Sequence, residues 1–179
     1  MPFRLRIPSC GAPALLAVAG TLALAAGAAS SASTCGLPDF TATALARINE
    51  ARARGADCGS GGRFDPAAPV SWNDKLAQAA DAHARDLVAR NVLSHDGAKG
   101  GTLTDRVEAA GYDWGSVAEN VAGGYPSIDA VVAGWVRSPE HCKNLMSPAF
   151  SEAGLACVPG GAGSTYANFW ALNLGRRQR

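Results

Sequence analysis

A chain of 179 residues with 16 basic and 15 acidic side chains is close to neutral, so it lacks the basic face that a grip on nucleic-acid phosphates requires. Arg4 and Arg6 precede an apolar run from Gly11 to Ala29, and the small residues Ser30, Ser31, Ala32 and Ser33 follow. This is the order of a secretory leader, so residues 1–33 are read as a signal peptide and residues 34–179 as one exported domain, long enough to bury a core.

The competing reading of the apolar run is a membrane anchor, but alanine and glycine dominate it and insert weakly beside leucine. A cut after Ala29, Ala32 or Ser33 removes it and leaves no stable membrane span. Cys35 follows Ser33 and Thr34 rather than the glycine or alanine that a lipoprotein cleavage site favours. Without the leader the domain holds 14 basic against 15 acidic residues. The one basic cluster, Arg176, Arg177 and Arg179, reads as a solvated end.

In chain order, Leu45, Ile48 and several alanines recur at helical spacing from Phe40 to about Arg54, with Asp39 or Thr41 as the cap. A Gly- and Pro-bearing stretch from Gly55 to Pro69 separates this helix from a second, about Asp74 to Ala89, on which His83 shares a face with Leu76 and Leu87. His83 is therefore expected to be a core histidine making one hydrogen bond. Thr102 or Thr104 caps a short helix through Ala110, which Gly111 stops. Ser127 caps another to about Val136, with Ile128, Val131, Val132 and Trp135 on one stripe. Ser138 and Pro139 then open a turn carrying Glu140 and His141. From Ala153 to Val158 and from Tyr166 to Leu174 the period becomes that of strands, joined by the loop PGGAGST. The Tyr125 segment GGYPS reads as a turn rather than a cleft wall. Helices gathered early and strands late predict an α+β domain with an antiparallel sheet packed by helices.

With the leader and its Cys10 removed, four cysteines remain, Cys35, Cys58, Cys142 and Cys157. In an oxidising compartment they imply two disulfides. The expected pairing is Cys35 with Cys58 and Cys142 with Cys157, because each couple brackets one structural unit. Cys142 beside His141 is not a catalytic thiol, since neighbours on a helix point about 100° apart.

No nucleophile elbow, P-loop, H-E-x-x-H helix or zinc-finger spacing is present, so any chemistry is assembled by the fold. His95 in VLSHDG, Glu119 in AENVA and His141 in SPEHCKNLM offer two imidazoles and a carboxylate. Such a set suits zinc with a position left open. The alternative is a hydrogen-bonded wall in which His95 partners Asp96.

The succession PVSWNDKLAQAADAHARDL, NVLSHDG, GYDWGSVAENVA, VVAGWVRSPEHCKNLMSPAFSEAGLAC and YANFWALNLG resembles the bacterial branch of the CAP superfamily, the cysteine-rich secretory, antigen 5 and pathogenesis-related 1 proteins. The resemblance covers about residues 40 to 175. It implies a three-layer α-β-α sandwich around a central antiparallel sheet, with a cleft of two histidines and two glutamates in which some members bind zinc or another divalent ion. His95 and His141 match the metal-binding histidines and Glu119 the first glutamate. Where many relatives carry the second glutamate, three residues after the helix tryptophan, this chain has Ser138; Glu140 either replaces it or complements a helix N-terminus. Ser138, Glu140 and Glu119 are thus the expected cleft lining.

Three functions remain open on this reading. The first is an exported binding module for a small molecule, peptide or cell-surface ligand, with or without a divalent cation such as Zn2+. The second is a metal-dependent hydrolase with Glu119 as general base, and the third a lipid or sterol carrier.

Overall fold

The computed structural model describes Met1 and residues 32–178. All but the last few residues of the expected leader, residues 2–31, lie outside them. Helix α1 (Phe40–Arg54) starts behind Asp39, whose left-handed backbone (φ 46°) leaves its side chain without a capping bond. A two-residue ribbon, β1 (Ala56–Asp57) with β2 (Arg63–Phe64), closes the Gly-rich stretch. Strand β3 (Ser71–Trp72) leads to α2 (Asp74–Arg90), capped by the Asn73 side chain, which accepts from the Lys75 and Leu76 amides. Helix α3 (Leu103–Ala109) carries a reciprocal Thr102/Asp105 capping box, and Gly111 follows at φ 75°.

Strand β4 (Trp114–Gly123) corrects the expectation that strands come only in the last third. Glycines at both ends and the polar pair Glu119 and Asn120 in its middle hide the apolar alternation. Helices α4 (Ile128–Val136) and α5 (Pro139–Met146) follow, then β5 (Glu152–Pro159) and β6 (Asn168–Arg177). Arg176 and Arg177 thus end a strand, and the Arg177 guanidinium lies 5.6 Å over the Tyr112 ring.

The sheet order is β3-β5-β6-β4, antiparallel except for β3 beside β5. The side chains of β5 and β6 alternate between two cores. Leu155, Cys157, Trp170, Leu172 and Leu174 face α1, α4 and α5, where Phe40, Ile48, Val131, Trp135 and Leu145 are buried. Ala156, Val158, Phe169 and Ala171 face Ala80, Ala84 and Leu87 of α2. Helices therefore cover both sides of the sheet, an α+β sandwich of three layers. Tyr125 packs against the first core and gives its carbonyl to Trp170 Nε1 at 3.0 Å.

Helix α2 lies directly on β5 at Gly154, where a Cβ would fall on the backbone of Leu76 and Ala77. Helix backbone cannot yield as a flexible side chain does. Gly154→Ala is expected to destabilise the domain by about 1 to 3 kcal/mol, the usual cost of overpacking, and thermal unfolding of the purified variant measures it.

The disulfide pairing corrects the sequence expectation. Cys35 joins Cys157 and Cys58 joins Cys142, with Cα separations of 5.2 and 5.6 Å. Cys35 and Cys58 stand beyond opposite ends of α1, whose 15 residues span about 22 Å at 1.5 Å each, out of reach of a disulfide. The chain enters beside β5 instead. Thr34 forms a parallel bridge with Cys157, and the Cys35 amide donates to the Cys157 carbonyl at 3.0 Å. Among the described residues, no helix is long and apolar enough to cross a membrane.

Candidate functional site

Strand β4 is an outer strand of the sheet, and its free edge is where the candidate residues meet. Two helices seal part of it. Asn144 Nδ2 of α5 donates to the Glu119 carbonyl at 3.2 Å and Trp135 Nε1 of α4 to the Val121 carbonyl at 3.3 Å, which satisfies edge groups that would otherwise invite another strand. Asn144 also donates to Asn120 Oδ1 at 3.0 Å, while Asn120 Nδ2 donates to the His141 carbonyl at 3.0 Å. The two asparagines thereby fix α5, and with it His141, against the strand.

Successive side chains on β4 point to opposite faces. Asn120 faces α5, whereas Glu119 turns toward α2, α3 and the loop after α2. That loop brings His95 to the carboxylate. His95 Nδ1 donates to Glu119 Oε1 at 3.0 Å and Arg106 Nη2 donates to Oε2 at 2.7 Å. The Glu119 side chain is only 2% exposed and that of Arg106 12%, against 59% for His95. Glu119 is therefore a buried anion neutralised by a guanidinium, with an imidazole on its outer side. Arg106 also donates to the carbonyls of Gly101 and His95, both at 3.2 Å, so one side chain holds the carboxylate and the loop that presents His95.

His83 lies beneath this pair with no exposed surface. Its Nε2 donates to the Ser94 carbonyl at 2.9 Å and lies 3.5 Å from Glu119 Oε1. The core reading of His83 thus agrees with its place, and the residue also forms the floor of the site.

The rings of His95 and His141 face each other across the β4 edge with centroids 6.5 Å apart. Their titration is pushed in opposite directions. The hydrogen bond to Glu119 outweighs partial burial and raises His95, whereas burial, helped by the nearby His95, lowers His141. Burial likewise holds His83 down.

Glu119, His95 and His141 are thus brought together, and the other two expected lining residues lie at the start of α5, just before His141. Glu140 lies in the first turn of α5 with its side chain 76% exposed, 3.9 Å from Lys143. Ser138 occupies the N-cap position of α5, but its side chain makes no capping bond.

Sequence reading missed Arg106, Asn120 and Asn144. Arg106 had a signal, since it occupies the stripe of Leu103, Val107 and Ala110 and is a charged residue where periodicity asks for an apolar one. Asn144 follows His141 by three residues, which places both on one helix face. Asn120 had none, because β4 itself was not read.

Two imidazoles sharing a zinc at about 2.1 Å in tetrahedral geometry have their centroids about 5 Å apart, so at 6.5 Å the pair must close slightly to share an ion. The donor chemistry fits. With Nδ1 tied to Glu119, Nε2 is the nitrogen that His95 would offer to an ion, the arrangement in which an outer carboxylate fixes the tautomer and raises the basicity of a ligating histidine. Glu119 is an orienter in that scheme. Among the described residues no group of three His, Cys, Asp or Glu is arranged to hold a metal, so an ion shared by His95 and His141 would have only those two protein ligands and would need the rest from water or a bound molecule.

The sequence pattern of the cysteine-rich secretory protein family matches residues 45–174. Two Bacillus subtilis proteins are similar over part of their length: the uncharacterized membrane protein YlbC, 33% identical over 88 residues (49% of this chain, 25% of YlbC), and the uncharacterized protein YkwD, 28% identical over 94 residues (52% and 37%). This chain therefore spans about a quarter to a little over a third of those relatives. Among solved structures, an extracellular SCP-domain protein from Bacillus anthracis superposes with a TM-score of 0.55 at 28% identity, covering 62% of this chain and 35% of that one. An outer surface protein of Borrelia burgdorferi also gives 0.55 at 21% identity, with 63% and 80% covered, a likeness of fold.

Proposed function

This chain belongs to the cysteine-rich secretory protein family, and from that premise we propose that it is an exported binding module whose cleft lies at the β4 edge. A divalent cation shared by His95 and His141 forms part of the grip, and the ligand is a small molecule, peptide or cell-surface group with an oxygen or nitrogen donor to complete the coordination. The observation that carries this reading is the state of Glu119. Its side chain is only 2% exposed and its two oxygens receive Arg106 and His95, so the carboxylate is held to orient a ligand histidine and is shielded from water bound on the outer side.

Support for export comes from the leader-like start of the sequence, from two disulfides, and from the similar Bacillus anthracis protein, which is described as extracellular. A lipid carrier fits less well. Met1 and Val92 are the large apolar side chains exposed among the described residues, which gives an acyl chain or sterol little to pack on.

Zinc titrated calorimetrically into metal-stripped exported protein is expected to bind stoichiometrically at pH 7.5 and more weakly at pH 5.5, where ligand histidines are protonated. His95→Ala and His141→Ala should each weaken binding by more than the about 10- to 100-fold that loss of an outer-shell partner costs. Unchanged affinity in both variants removes the pair as the cation site.

A further inference from the structure

Ser33 is anchored at all three of its polar positions. Its N–H donates to Asp81 Oδ1 at 2.8 Å, its carbonyl accepts from the Cys157 amide at 2.8 Å, and its hydroxyl accepts from Arg85 Nη2. Arg85 Nε donates to the other Asp81 oxygen at 2.7 Å. Thr34 and Cys35 extend the attachment through the bridge and the disulfide to Cys157. The receiving group is unusual. Asp81 lies on α2 among Ala80, His83 and Ala84, all with no exposed surface, and is itself only 9% exposed. Burial pushes its carboxyl up, but the hydrogen bonds from Arg85 and Ser33 outweigh burial and leave it below the ordinary aspartate range. A nearly buried carboxylate thus meets one half-exposed guanidinium and one neutral amide, so its charge is only partly matched.

We propose that the exporting cell's signal peptidase cuts between Ala32 and Ser33, and that the Ser33 ammonium so released pairs with Asp81 and tightens the fold. This rests on the reading that the chain is exported and its leader removed. In the cut, water adds across the Ala32–Ser33 peptide bond. Its hydroxyl goes to the Ala32 carbonyl, giving the carboxylate of the departing leader, and its proton goes to the Ser33 nitrogen. That nitrogen takes a second proton from solvent and becomes an ammonium where a peptide N–H now donates at 2.8 Å. The small residues Ser30 and Ala32 occupy the third and first positions before this bond, as a signal peptidase requires. A cut after Ser33 discards all the Ser33 contacts, and a cut after Ala29 leaves an uncharged amide at Asp81.

The full chain expressed in an exporting host and purified from outside the cytoplasm is expected to begin at Ser33 by intact mass and N-terminal sequencing. A first residue of Ser30 or Thr34 overturns the proposal and spares the export reading, whereas an uncut chain overturns both. A second measurement follows the melting temperature of the exported protein and of Asp81→Asn from pH 7 to pH 10. An ammonium raised by Asp81 contributes fully below its unfolded value of about 7.7 to 8.0 and is lost as the pH rises through its higher folded value. The advantage of the native protein over Asp81→Asn should therefore shrink by about 2 to 4 °C. Arg85 keeps the charge that any guanidinium carries over this range, Cys157 is in a disulfide, and groups common to both proteins cancel in the difference. A gap that does not change with pH overturns the pairing.

Discussion

Glu119→Ala is expected to cost about 3 to 5 kcal/mol, the range for breaking a buried ion pair from one side, and at about 2 to 4 °C per kcal/mol for a domain of this size the melting temperature falls by about 6 to 20 °C. The cost comes from what remains. Arg106, 12% exposed at its side chain, would keep its charge with only the carbonyls of Gly101 and His95 to receive it, and its Nε is already a buried donor without a partner. His95, being far more exposed, can turn its freed Nδ1 to water and adds little. Glu119→Gln keeps the shape and one good acceptor, so its loss should be smaller, near the about 1.5 to 3 kcal/mol of a hydrogen bond to a charged group. Glu140→Ala is the control and should leave the melting temperature unchanged. An alanine variant that melts with the native protein would show that Glu119 does not organise the site. The histidines add a pH signature. His83 and His141 are held down by burial, so the unfolded chain binds more protons than the fold as the pH drops through about 6.5 and stability declines toward acid. His95 runs the other way. Its raised affinity for a proton stabilises fully below about pH 6.5 and is lost as the pH rises through its folded value.

The parts of this fold that were legible in the sequence are those whose periodicity is decided by burial on one face. The stripe Ile128, Val131, Val132 and Trp135 is the buried face of α4, and the alternation in β5 and β6 reflects two cores on either side of one sheet. Strand β4 was illegible for a physical reason. It lies at an edge, and its middle is given to a buried ion pair and an amide network rather than to apolar packing. The residues that make it a site, Glu119 and Asn120, are the residues that break its pattern. The motifs singled out His95, Glu119 and His141, which the fold brings together, but they do not give the hydrogen bonding among them, because that depends on who donates to whom. Nothing in AENVA says that Arg106 from a separate helix takes one oxygen of Glu119 and His95 the other.

Loss of the Cys58–Cys142 bridge by double serine substitution should lower both stability and cation affinity, whereas loss of Cys35–Cys157 should lower stability alone. The two bridges join residues 84 and 122 apart in sequence, and the chain-entropy relation gives about 4 to 5 kcal/mol for either, within or near the about 2 to 5 lost when native disulfides are removed. Loop length therefore cannot separate them, and position does. Cys142 follows His141 on an eight-residue helix, too short to persist without tertiary support. Its bridge ties that helix to the loop after β1, where a Cβ on Gly61 would strike the Pro139 carbonyl, so helix and loop are in direct contact. Releasing the bridge lets α5 shift against β4, and the 6.5 Å approach of the two imidazoles depends on that packing. Cys35–Cys157 instead fixes the entering strand on β5, on the far side of β6 from the cleft. Thermal unfolding and zinc calorimetry on both double variants, with peptide mapping under non-reducing conditions, separate the cases. Equal loss of cation affinity from either bridge would mean that the cleft responds to overall stability rather than to the placement of α5, and a peptide linking Cys35 to Cys58 would overturn the pairing itself.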